Sequence, residues 1–262
     1  MNYDQINNNN TLHLRGVIDS EPKFSHEVVG EGFYEVNLKV KRLSEQYDIL
    51  PITISERLLA DNNAEIGTEI SVYGQFRSYN KTDEEKSRLM LTVFVREITE
   101  PDEKMNPNII TLTGYLCKQP VYRTTPFNRE IADMLLAVNR AYNKSDYIPC
   151  IAWGRNARFV KNMNVGDKIT VSGRIQSREY QKNIDGVIVS KTAYEVSVNK
   201  IFAGERGNAG EDIGGVGAES AGGAGRCWTA ADNCAYGDIG SAAAAIDTGG
   251  GETERDDGVM QE

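Results

Sequence analysis

Val165-Gly-Asp-Lys-Ile-Thr-Val-Ser-Gly-Arg174 stands 99 positions after Ile66-Gly-Thr-Glu-Ile-Ser-Val-Tyr-Gly-Gln75, with Gly67 meeting Gly166 and Gly74 meeting Gly173. Upstream of one insertion the offset is 98, and residues 15–52 meet residues 113–150. There Pro22 matches Pro120, Arg42 matches Arg140, Asp48 matches Asp146 and Pro51 matches Pro149. Beyond a hairpin of different length, Leu91, Val93, Val95 and Ile98 meet Tyr194, Val196, Val198 and Ile201. The matched positions are apolar alternators and turn residues, which make a fold, while the surface residues between them differ. One small β-domain is therefore written twice, and each copy can be judged by what the other lacks.

Around the quoted stretch the signal is strand-like. Ile169, Val171, Gly173 and Ile175 alternate with Lys168, Thr170, Ser172, Arg174, Gln176 and Arg178, giving one apolar face and one basic face. Leu136 and Val138 mark an earlier strand, Tyr147 to Trp153 a third, and Tyr194, Val196 and Val198 the last. Between the third and fourth, Gly154 to Met163 reads as a short helix with Ala157, Val160 and Met163 inward, and Asn164-Val-Gly-Asp167 turns the chain into the next strand. The first copy follows with Leu58, Leu59 and Ile66-Gly-Thr68. Five strands with a helix between the third and fourth is the order of an OB barrel. The expected fold is all-β: two tandem five-stranded OB-fold barrels.

The expected division is a disordered start at 1–10, a first OB domain at 11–100, a linker at 101–107 stiffened by Pro101 and Pro107, and a second OB domain at 108–203. From Gly204 to Glu262 the composition turns to Gly, Ala and acids with no sustained apolar period. Such a segment cannot offset its ordering entropy and reads as a disordered acidic tail. No apolar run approaches the roughly 18 residues that span a bilayer, and the Asn-rich start has no signal-peptide pattern. A cytoplasmic, nucleoid-associated protein with no membrane partner is expected.

The net charge of −9 over 262 residues averages unlike parts. Residues 11–100 hold 11 Lys/Arg against 16 Asp/Glu, a net of −5; residues 108–203 hold 14 against 7, a net of +7; residues 204–262 hold 3 against 12, a net of −9. Only the second copy has the basic excess that suits a polyanion. Cys117, Cys150, Cys227 and Cys234 follow no C-x-x-C spacing, and the two histidines are His13 and His26, so no metal or cofactor is expected. With no nucleophile beside a histidine and no P-loop, an enzyme is not expected either.

On the outward parity of the fourth strand of the second copy stand Arg174, Arg178 and Tyr180, and Arg140-Ala-Tyr142-Asn-Lys144-Ser-Asp-Tyr147 joins its second and third strands. Phosphates need cations and unpaired bases need flat apolar surfaces, so rings interleaved with basic groups suit single-stranded nucleic acid. Tyr142, Tyr147 and Tyr180 are expected to stack on bases. Tyr194 alternates with Val196 and Val198 and is expected in the core, and for Trp153 the two roles stand level.

Four stretches, Ala132-Asp-Met-Leu-Leu-Ala-Val-Asn-Arg140, Asp146-Tyr-Ile-Pro-Cys-Ile-Ala-Trp-Gly154, Val165 to Tyr180 and Lys191-Thr-Ala-Tyr-Glu-Val-Ser-Val198, together resemble the bacterial single-stranded DNA-binding protein family. The resemblance covers nearly all of the second copy in order and spacing. It implies an OB fold that wraps single strands, with Tyr142, Tyr147, Trp153 and Tyr180 as the stacking set and Arg140, Lys144, Arg174 and Arg178 beside them. It also implies a homodimer, since family members with two OB folds per chain assemble four folds in all. The first copy resembles the family only through the second. It has Ser44, Ile49, Ser55 and Lys81 at the four ring positions, and Gln75 and Tyr79 in place of Arg174 and Arg178. Tyr47, Tyr73, Arg77 and Tyr79 keep outward parity, so the first copy is expected either to bind DNA weakly, with Tyr47, Arg77 and Tyr79 as its platform, or to serve mainly for assembly.

Family tails end in acids followed by a hydrophobic Pro-Phe tip that docks partner enzymes. Here Asp256, Asp257, Val259 and Met260 hold the acids and an apolar pair without a terminal aromatic, so docking of replication or repair enzymes and a plain solubilising spacer stand level. Cys227, Trp228 and Cys234 have no physical account. The expected function is non-sequence-specific binding and protection of single-stranded DNA in replication, recombination and repair. A primosome-type OB-fold adaptor and an RNA-binding OB protein are the alternatives.

Overall fold

The first half of the chain runs β1 (Asn10–Ile18), β2 (Lys23–Val28), β3 (Glu31–Lys41), β4 (Tyr47–Ser55), α1 (Glu56–Asp61), β5 (Glu69–Asp83) and β6 (Lys86–Thr99). The second repeats the order with β7 (Asn108–Leu116), β8 (Val121–Thr124), β9 (Glu130–Asn139), β10 (Ser145–Trp153), α2 (Arg155–Val160), β11 (Lys168–Ile184) and β12 (Val187–Ala203). This is a computed structural model describing residues 8–83, 86–142, 144–184 and 187–203. The expectations for residues 1–7 and for the tail, including Asp256, Asp257, Val259 and Met260, lie outside the described residues. The expectation of an unstructured start up to residue 10 ends earlier. Asn10 opens β1 and is buried, its side chain donating to the Phe76 carbonyl at 2.7 Å and accepting from the Phe76 amide at 2.9 Å.

In each half the pairings run round a cycle: β1 to β5, β5 to β6, β6 to β4 in parallel, β4 to β3, and β3 back to β1 through Val17–Lys39 and Ile18–Leu38. The second half repeats this with β7, β11, β12, β10 and β9. Each half has one strand more than expected, because β2 and β8 add an outer hairpin arm to β3 and β9. Inside lie the residues of apolar parity, Leu14, Leu38, Ile52 and Val93 in one half and Leu112, Leu136, Ile148 and Val196 in the other, all fully buried. The short helices pack against the core, α1 through the partly buried Leu58 and Leu59. Ser55 caps α1 by accepting from the Leu58 amide at 3.4 Å, and α2 turns Ala157 and Val160 inward.

A β-bulge falls at the same place in both halves, between Tyr73 and Gly74 and between Ser172 and Gly173. A Cβ on Gly173 would overlap the Ser197 carbonyl oxygen, and one on Gly74 would overlap that of Phe94. This close approach is why the repeat retains glycine there. Gly173→Ala should cost about 1–3 kcal/mol by overpacking, read as a lower urea midpoint at unchanged slope.

β1 and β7 pair antiparallel, with Leu12 opposite Ile110, Asn10 opposite Leu112 and Leu14 opposite Asn108. Leu12 and Ile110 are each other's repeat equivalents, so a pseudo-two-fold axis passes through that pair and, among the described residues, all 12 strands join one sheet. Other contacts obey the same symmetry. Asn108 bridges Ile175 as Asn10 bridges Phe76, at 2.7 and 2.9 Å. Asp48 of β4 accepts from the Ser177 amide, and Asp146 of β10 accepts from the Ser78 amide. The linker lies against the first half: the Pro107 carbonyl accepts from the Arg15 amide at 2.8 Å, and the Asn106 carbonyl is 3.2 Å from His13 Nδ1. Burial lowers the His13 pKa, with the Asn106 contact opposing.

Candidate nucleic-acid interface

At the β9–β10 turn the chain reverses through Tyr142, whose φ of 60° is left-handed and whose side chain is 88% exposed. The exposed Lys144 follows it, and Arg140 precedes it, its Nε 3.5 Å from Asp146 Oδ2. Arg140, Tyr142 and Lys144 face Gln75, Arg77 and Arg96 of the first half across a cleft of about 290 Å³. The structure thus brings three of the expected residues of the second copy together with Arg77 of the first.

Other expected residues lie apart from this cleft. Tyr147 is half-buried at the start of β10, its amide donating to Ser78 Oγ at 2.8 Å. Trp153 is 37% exposed at the far end of β10, roughly 26 Å from Ser145 at about 3.3 Å per strand residue. Tyr180 is half-buried on the β11–β12 arm opposite Lys191. Tyr194 packs partly against the core, and burial raises its pKa.

The strand cations are less available than outward parity suggested. Arg178 Nε lies 3.8 Å from the carboxylate of Glu195, which is 3% exposed. Burial raises the Glu195 pKa, against the pull of the Gln176 hydrogen bond and of Arg178. Arg174 reaches across the seam to Asp48 of the first half at 3.7 Å and donates to Gln176 Oε1 at 3.1 Å. Burial and the neighbouring Arg42 lower its pKa.

In the first half, Tyr47 is 49% exposed under Lys39, whose Nζ sits 4.7 Å from the ring centroid. The Tyr79 hydroxyl donates to Glu35 Oε1 at 3.1 Å; burial and that carboxylate push its pKa up to about 12. Arg77 lies 4.0 Å over the Phe94 ring, Phe94 stacks on Phe33 at 5.7 Å, and Phe33 stacks on His26 at 5.1 Å. Sequence reasoning missed this ladder and Arg96. A signal existed, because Phe33 stands on the parity opposite to the buried Val36 and Leu38 of its strand and Phe94 lies between the buried Val93 and Val95.

Residues 107–202 match the Single-strand binding protein family. A single-stranded DNA-binding protein of Clostridium tetani is 31% identical over 113 residues, covering 38% of this chain and 78% of that protein. The chain belongs to the single-strand binding protein family. Single-stranded DNA-binding protein 1 of Staphylococcus aureus is 40% identical over 81 residues, 28% of this chain and 48% of that one. The chain therefore spans about half the length of that curated relative. Among solved structures, the wild-type single-stranded DNA binding protein from Thermus aquaticus superposes with a TM-score of 0.55 at 22% identity, over 78% of this chain and 96% of that one. Coverage of that extent takes in both halves, so the family fold extends beyond the segment that the sequence match reaches.

Proposed function

We propose that this chain binds and protects single-stranded DNA without sequence preference, in replication, recombination and repair, and acts by binding alone. The observation that carries this reading is Tyr142. A non-glycine residue in the left-handed region costs free energy, and a ring 88% exposed returns almost nothing to the core. Between Arg140 and Lys144, the same ring is a platform for a base whose phosphates meet cations on either side. The family of the second half agrees, as do its excess of basic residues and the half-exposed Trp153 and Tyr180.

Tyr142→Ala should weaken poly(dT) binding by roughly 5- to 150-fold, the loss of one base–ring stack, and leave stability within about 0.5 kcal/mol. Intrinsic fluorescence titration and thermal melting read the two effects; full affinity in the variant would refute the stacking role. Competition between DNA and RNA oligonucleotides of one sequence separates DNA from RNA preference. Stoichiometric coating, as opposed to saturation at one short site, separates a coating protein from an adaptor.

The working assembly in this reading is a cytoplasmic homodimer presenting four OB folds, with replication or repair enzymes docking on the acidic tail. The β1–β7 join already covers those two strands within one chain, so in this reading a second chain docks through a sheet face or a hairpin arm.

A further inference from the structure

The two ends of the pseudo-two-fold seam carry equivalent carboxylates in unlike surroundings. At one end Asp48 is fully used. Its Oδ1 accepts from Arg42 Nη2 at 2.6 Å, the Ser177 amide at 2.7 Å and Ser177 Oγ at 3.0 Å, and its Oδ2 accepts from Arg42 Nε at 2.7 Å. At the other end Asp146 Oδ1 takes the Ser78 amide at 2.8 Å, while its buried Oδ2 makes no hydrogen bond and faces Arg140 at 3.5 Å. Arg140 also lines the open cleft, together with Arg77, Arg96 and Lys144. Both carboxylates have an arginine partner, but only Asp48 is hydrogen-bonded to its own.

Arg77 is fixed in the cleft by the Phe94 ring and by Gln75 Oε1 at 2.9 Å, while its buried Nε has no hydrogen-bond partner. Burial and the positive charge of Arg140 and Arg96 lower its pKa to about 10, against the pull of Asp146. A guanidinium held there against both desolvation and like charge is preorganised for an anion. Phe33 stacks on Phe94 and His26 on Phe33, so the ladder positions Arg77.

We propose that this cleft holds successive backbone phosphates of single-stranded DNA, met by Arg77 and Arg96 of the first half and by Lys144 of the second, with Arg140 beside its Asp146 partner. The strand thereby crosses the seam from one half to the other, with the Tyr142 ring against an adjoining base. This rests on the DNA-binding reading above and adds to it a path through the acidic first half.

The test is the salt dependence of poly(dT) binding by the full chain. Arg96→Gln, an exposed substitution, should reduce the magnitude of the log–log slope by about 0.7, and Arg77→Gln with Arg96→Gln by about 1.4, at roughly 0.7 per phosphate contact on single strands. Arg57→Gln on the exposed face of α1 should leave it unchanged. Wild-type binding with an unaltered slope in Arg96→Gln overturns the seam path while leaving DNA binding intact. No binding of poly(dT) by the wild type overturns both. Tripolyphosphate raising the melting temperature as much as oligo(dT) does, with the difference abolished by Arg96→Gln, would make the cleft a site for a soluble phosphoanion and overturn the strand path.

Discussion

Asp48→Asn should cost about 3 kcal/mol of folding free energy, the lower end of what breaking a buried charge pair costs, whereas Asp146→Asn should cost less than about 1 kcal/mol, a typical neutral hydrogen bond. Both carboxylates are fully buried at the seam, so burial does not separate them. Hydrogen bonding does. Loss of the Asp48 carboxylate leaves the bidentate Arg42 guanidinium half-buried without its partner and weakens acceptance from Ser177. An asparagine at 146 keeps one oxygen for the Ser78 amide and removes a charge whose burial outweighs the attraction of Arg140 and Arg77, which is why the Asp146 pKa is raised.

That raised value fixes the sign of a pH effect. The folded protein binds a proton at Asp146 more readily than the unfolded chain does. The stability Asp146 lends is present below the ordinary aspartate range and is lost as pH climbs through the raised value. The gap between wild type and Asp146→Asn should therefore move in the variant's favour as pH rises from strongly acid to neutral. Urea denaturation followed by circular dichroism at both pH values checks the ranking and the trend. Equal costs for the two substitutions would mean that the difference in hydrogen bonding does not set the cost.

Most of the fold is legible in the repeat, because strand parity and turn glycines are local properties that a sequence states directly. Gly173 and Gly74 mark the bulges, and Ala157 and Val160 mark the inner face of the short helix. What escaped was relational. The match between Asp48 and Asp146 was plain in the sequence, yet nothing there said that each reaches the other half to meet Ser177 and Ser78. Outward parity put Arg174 and Arg178 on a basic face, but parity is blind to whether a cation meets solvent or a buried carboxylate such as Glu195. For the same reason a net charge of −5 concealed the contribution of the first half, which places Arg77 and Arg96 beside the basic turn of the second.

Raising salt from 50 to 200 mM should weaken poly(dT) binding about 20-fold per chain, a log–log slope near −2.1 from three phosphate contacts at roughly 0.7 each. The three cations expected to carry that slope are Arg77, Arg96 and Lys144, which line one cleft, whereas Arg140 of the same cleft already faces the buried Asp146 at 3.5 Å. Arg174 shares Asp48 with Arg42 at the opposite end of the seam, and Arg178 lies against Glu195. A guanidinium already facing a buried carboxylate has little net charge to offer a phosphate, so Arg174→Gln and Arg178→Gln should change the slope by less than about 0.3, well short of one contact. Glu195→Gln tests the same logic in reverse. It frees Arg178 without moving the backbone, and the slope should steepen by about 0.7, one added phosphate contact. A slope that falls with Arg178→Gln and stays fixed with Lys144→Gln would relocate the electrostatic site from the seam to the β11–β12 arm.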